Sequence, residues 1–248
     1  MIHYHGTPIG GKRTDAVEVL QGRHAMVSFA YPQDLPIVLD VCQSWVLDNG
    51  AFTKWKRTGG RVDFDAYFDW VIGLYRHPGF DWCLIPDVID GDETENRELV
   101  RKWLRVGSKV KGVPVWHLHE SLEWLEWLVG RFEWVAIGSS GRWPEPGRKG
   151  WWDRMSEAME VCCDNKGRPK CKLHGLRMLN TRVFERLPLS GADSTNAARN
   201  NNRLGRFGMY PPPTGGQRAA TIANRIEATN SAPVWAGRPK QLTLGLWG

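Results

Sequence analysis

The sequence predicts an α/β protein, a single (β/α)8 TIM-type barrel. Eight short apolar runs alternate with segments of helical periodicity along its 248 residues. Strands separated by helical crossovers imply a parallel sheet, and eight such units suggest closure. Three of the runs lead into an aspartate, Asp48, Asp87 and Asp193, and parallel barrels build their active sites at the C-terminal ends of strands. The glycine-rich loop after the first strand, Gly6 to Gly11, matches no nucleotide fingerprint, so an open doubly wound sheet has less support.

The elements follow in order. Ile2 to His5 is the first strand, and Arg13 to Leu20 a helix with Val17 and Leu20 inward. Met26 to Ala30 is the second strand, and Asp34 starts a short helix through Val41. Trp45 to Leu47 runs into Asp48 and a glycine turn. Asp63 caps a helix whose Tyr67, Phe68, Val71, Ile72 and Tyr75 share one face. Trp82 to Asp87 is a buried strand. The acidic loop Asp90 to Glu93 feeds a helix with basic residues near its end, as the helix dipole prefers. Val113 to His119, Trp134 to Gly141, Lys172 to Leu176 and Leu189 to Ala192 complete the strands. Glu120 to Phe132, a helix lined by Met155 and Met159, Thr181 to Arg186, and Gln217 to Ala228 supply the later helices. Residues 1–230 form the barrel, with a basic segment at 194–210, and 231–248 read as an irregular tail.

Composition narrows the function classes. Fourteen Trp at mostly helical spacing belong chiefly to the core. A net charge of +6 suggests a polyanionic partner. No apolar run is long enough for a bilayer, and the N-terminus lacks a signal-peptide layout. Five Cys without a framework suit a reducing, cytoplasmic setting.

The stretch Leu189 to Asn196 delivers Asp193 into a polar turn, followed at once by Arg199, Arg203 and Arg206. An isolated Asp there reads most simply as a helix cap. Yet Asp48, Asp87, His117, His119, Ser139 and Asp193 all fall at or just after strand ends, which a barrel gathers on one rim. Two carboxylates suit glycosyl chemistry, one attacking and one carrying the proton, the carrier with a pKa raised by burial.

Val46 to Phe52, Ile85 to Asp87, Ala136 to Ser139, Leu173 to Gly175 and Gly191 to Asp193, in that order, resemble the tRNA-guanine transglycosylase superfamily. The chain is most similar to the bacteriophage branch that inserts 7-deazaguanine bases into DNA. The resemblance implies a DNA-guanine transglycosylase of a phage-infected host cytoplasm, with DNA and a free 7-deazaguanine as partners. Asp193 would be the nucleophile that attacks C1′ and Asp48 the acid/base. Asp87, Phe52, His117, His119, Gly138, Ser139 and His174 would contact the base, and Arg199, Arg203 and Arg206 the phosphates. A target nucleotide in a duplex would have to leave the stack.

Three departures qualify this. His117 or His119 stands in place of a base-reading glutamine, Ser139 in place of a second glycine, and the zinc subdomain after the nucleophile is missing. That last loss argues against tRNA as the acceptor. Cys162, Cys163 and Cys171 precede Asp193, and with His174 they offer a possible zinc set of poor spacing. Idle thiols are the simpler reading, so no cofactor is expected. The other readings of the sequence are tRNA-guanine exchange, a glycosylase that hydrolyses the N-glycosidic bond on the same barrel, and a non-catalytic nucleic-acid-binding barrel.

Overall fold

The computed structural model describes residues 1–106 and 109–237. Its strands are β1 (Ile2–Gly6), β2 (His24–Ser28), β3 (Ser44–Asp48), β4 (Phe80–Leu84), β5 (Gly112–Val113), β6 (Val115–His117), β7 (Trp134–Gly138), β8 (Lys172–Gly175) and β9 (Gly191–Ser194). All ladders are parallel, in the order β5-β4-β3-β2-β1-β9-β8-β7-β6.

β5 and β6 are two halves of one strand interrupted at Pro114, which has no N–H to donate. On one side Ile85 N donates to Val113 O at 2.8 Å, and on the other Ala136 N donates to Pro114 O at 2.9 Å. The broken strand therefore joins the two ends of the sheet. The ring has eight strands and is a TIM-type barrel, as the sequence predicts.

Helices α1 (Arg13–Leu20), α2 (Leu35–Val41), α3 (Ala51–Thr58), α4 (Phe64–Leu74), α5 (Glu93–Val106), α6 (Leu122–Val129), α7 (Lys149–Cys162), α8 (Thr181–Phe184), α9 (Asn196–Asn200) and α10 (Gly215–Glu227) connect or follow the strands. Asp63 caps α4 as predicted, accepting from Asp65 N and Ala66 N at 3.1 Å. Asp34 precedes α2 but does not cap it; its carboxylate holds Ile9 N at 2.6 Å instead.

Period-two alternation divides the core in two. Trp45, Leu47, Cys83, Val135, Ile137, Leu173 and Ala192 pack outward against the helices. Tyr4, Met26, Val46, Trp82, Leu84, Val115, Trp134 and Ala136 fill the interior. The two interior Trp rings sit 5.8 Å apart. Gly191 makes room for the His174 and Tyr4 rings beside them, since a Cβ there would meet His174 Nδ1 at 3.1 Å and Tyr4 Cε2 at 3.2 Å.

Three sequence expectations shift. The last strand is Gly191–Ser194 rather than 189–192, so Asp193 lies within the strand and points inward. Leu189 belongs to the outer core. The second strand is His24–Ser28, set by its ladder to β1 and β3. The turn after Asp48 opens helix α3, with Gly50 at φ 77° as its N-cap. Residues 231–237 carry no helix or strand, and the rest of the predicted tail lies outside the described residues.

Candidate active site

The C-terminal rim gathers acids from three strands. Asp48 ends β3, Asp87 follows β4, and Asp193 comes from β9. Asp48 accepts hydrogen bonds from Ser28 and from the Gly50 N–H, but burial dominates. Burial, with the charges of Asp193 and Asp87 added, pushes its carboxyl up to about 6. The charge of Asp193 thus reaches Asp48, although the two stand 145 positions apart in the chain.

Asp193 is nearly buried. Its Oδ1 accepts from the Arg177 N–H at 3.0 Å and contacts His174 Nε2 at 3.2 Å. His174 is fully buried in the barrel interior, edge-on to Trp82 at 4.9 Å. Its contact with Asp193 assigns the proton to Nε2 and leaves Nδ1 without a partner among the described residues.

Asp87 anchors a second network. Its Oδ1 accepts from Asn49 Nδ2 and its Oδ2 faces His117 Nε2, both at 2.7 Å. Asn49 also donates to Ile85 O and accepts from Ala51 N, which fixes the start of α3. Burial lowers the His117 pKa, but the hydrogen bond and charge of Asp87, aided by Glu120, outweigh it and the net direction is up. Glu120 accepts from His117 N at 2.7 Å and from Asn96 at 2.9 Å. Gly138 fits because a Cβ there would lie 3.0 Å from His117 Nδ1.

The remaining predicted residues are placed as follows. His119 stacks on His117 at 5.6 Å and binds Ser140 Oγ at 2.8 Å. Ser139 turns to helix α7 and accepts from Trp151 Nε1 at 2.9 Å. Phe52 lies at the rim with the Arg177 guanidinium 3.2 Å above its ring. Arg199, Arg203 and Arg206 are exposed, on α9 and in the segment after it. His3 and His5, which open the first strand, face outward to Thr229 O and Glu227. A cleft of about 360 Å³ opens beside Asp87, lined by Trp55, Arg61, Asp90, Asp92 and Glu95.

Sequence reasoning missed Arg177 and Asn49. Arg177 directly follows the predicted strand end, Leu176, and looks like any surface cation. Its backbone is left-handed, φ 58°, which sequence does not signal for an arginine. Asn49 read only as a turn residue.

The proposed zinc set is not assembled. Cys162 packs in the outer core while His174 faces Asp193 in the interior. Among the described residues no group of three or more His, Cys, Asp or Glu side chains is placed to hold a metal. No described helix is long and apolar enough to cross a membrane.

No family model matches the chain, and no curated protein matches it. Solved structures do. A chain of the tryptophan synthase complex from Pyrococcus furiosus is 12% identical with a TM-score of 0.51, covering 92% of this chain and 98% of that one. Two mutant tryptophan synthase alpha-subunits from the same hyperthermophile are also 12% identical, covering 92% of this chain and 97% or 98% of theirs, with TM-scores of 0.51 and 0.50. At such identity the likeness shows a shared barrel. It corrects the expectation of a DNA-guanine transglycosylase: these solved structures belong to tryptophan synthase, no family model matches, and neither finding supports base exchange in DNA. What the comparisons show is a (β/α)8 barrel of the kind on which enzymes are built.

Proposed function

We propose that this barrel is an acid–base enzyme that works with two unlike carboxyl groups, on a small polar substrate bound at the C-terminal rim. Asp48 supplies the transferable proton, because a carboxyl with a pKa near 6 exchanges protons readily at neutral pH. Asp193 supplies the fixed carboxylate, aimed by the Arg177 N–H and by His174. Pairs of titratable groups held in different environments are the usual arrangement for dividing acid and base roles.

The observation that carries this reading is the convergence of Asp48, Asp87 and Asp193 from three strands on one rim, where desolvation raises the Asp48 pKa. Positioned proton transfer typically contributes about 10²–10⁴-fold to rate. Asp87, locked by Asn49 and His117, acts as a structural post that adds negative potential at Asp48.

The reading is tested by incubating the protein in D2O with a panel of small phosphorylated and carboxylated metabolites. Deuterium uptake or bond cleavage is read by mass spectrometry. A turnover lost in both Asp48→Asn and Asp193→Asn supports it. A turnover that survives both substitutions contradicts it.

A further inference from the structure

Arg177 donates through its main chain to the candidate acid Asp193, which leaves its side chain available for another role. Among the described residues the guanidinium has no hydrogen-bond or ion-pair partner. Its Cζ lies over the Phe52 ring, 3.2 Å from the centroid. A guanidinium stacked in this way keeps its N–H edges free, and they form a planar fork matched to phosphate and carboxylate oxygens. Arg177 reaches solvent, yet desolvation by the groups around it lowers its pKa, while the charges of Asp193, Asp48 and Asp87 act against that and Arg199 adds to it. Arg177 and Arg199 thus lie close enough to sense each other, beside the acids.

The place in the fold agrees. Arg177 lies in the loop after β8, the seventh strand of the ring, and Arg199 in the segment after β9, the eighth. In (β/α)8 enzymes the loops after those two strands frequently form the phosphate site. The left-handed backbone supplies an independent sign, since strain of this kind clusters at ligand clamps. It fixes the loop so that one residue bonds Asp193 through its N–H and turns its guanidinium toward Phe52.

We infer that Arg177, backed by Arg199, grips an oxyanion group on the substrate, a phosphate or a carboxylate. The inference rests on the acid–base reading for its role in catalysis, but the binding is measurable without turnover.

The test is titration of the intact chain with inorganic phosphate and, separately, with acetate, followed by the ¹⁵N–¹H signal of Arg177 Nε and by calorimetry. Saturable binding of either anion that shifts Arg177 and weakens about 10-fold or more in Arg177→Gly supports the proposal. Phosphate binding alone points to a phosphate ester, and acetate binding to a carboxylate. Arg177→Gly keeps the N–H to Asp193 and suits a positive φ, so a folded variant is expected. Arg203→Ala separates a specific grip from general basicity. Equal weakening in Arg203→Ala and Arg177→Gly, or no binding of either anion, overturns the proposal. Failure of the acid–base reading shows instead in the D2O experiment, with anion binding intact.

Discussion

The main-chain N–H of Arg177 donates to Asp193 Oδ1 across 3.0 Å, from a backbone held at φ 58°. This bond ties the loop after the seventh strand to the acid on the eighth. A left-handed non-glycine residue costs about 1–2 kcal/mol, and the stacking on Phe52 returns about 0.5–1 kcal/mol. Arg177→Gly removes both and keeps the N–H. Chemical denaturation should place its stability within about 1 kcal/mol of wild type. A much larger loss would show that the side chain, not the N–H, holds the loop.

His117 depends on Asp87 for the direction of its shift. Burial alone would lower its pKa, and the hydrogen bond and charge of Asp87 reverse that. A His raised in the folded state contributes stability that is full below its unfolded value and fades as pH rises through the folded one. The imidazole signals of wild type should therefore titrate above 6.5, the ordinary value. In Asp87→Asn they should titrate lower than in wild type. An unchanged midpoint would mean that Asp87 does not set the charge of His117.

Asp48 should impose a pH penalty on folding. Its folded value, about 6, lies above its ordinary 3.8. The folded state therefore binds the proton more tightly than the unfolded state does. Stability is lost as pH rises from about 4 to about 6, not as it falls. Asp48→Asn removes this term and should be more stable than wild type above pH 6, by at most about 2–3 kcal/mol. Below pH 4 the two should converge. Parallel stability curves across that range would contradict the assignment.

Gly112 is required by packing rather than by backbone conformation. A Cβ at this point of β5 would lie 2.1 Å from Trp103 Nε1 and 2.6 Å from Cε2. The Trp103 ring is buried and hemmed in by Phe64 and Phe68. Gly112→Ala should lower stability by about 1–3 kcal/mol, the usual cost of overpacking, as read by a drop in thermal midpoint. Trp103→Leu in the same chain should recover part of that loss.

The barrel was legible because its signals are local. Apolar runs of strand length, helical periodicity between them, and acids where the runs stop appear within a few residues of each other. Helix α1 was read with its observed bounds for the same reason. Asp48 and Asp193 were legible as candidates, since each stands in a small-residue turn beside an apolar run. The raised pKa of Asp48 was not, because it depends on burial and on acids from other strands. The roles of Asn49, Glu120 and Arg177 were hidden in the same way. Each is an ordinary polar residue in sequence, and only the closed ring brings it to its partner. The outward turns of His3, His5 and Ser139 depend on strand register, which shifts by a residue without altering composition.

Asp48, half-buried at the end of β3, holds a raised pKa because it is desolvated beside Asp193. Selective ¹³C labelling of aspartate carboxyls, with the Asp48 signal followed against pH in wild type and in Asp193→Asn, measures this directly. The account predicts a midpoint near 6 in wild type and a lower one once the Asp193 charge is removed. A wild-type midpoint in the ordinary carboxylate range would contradict it.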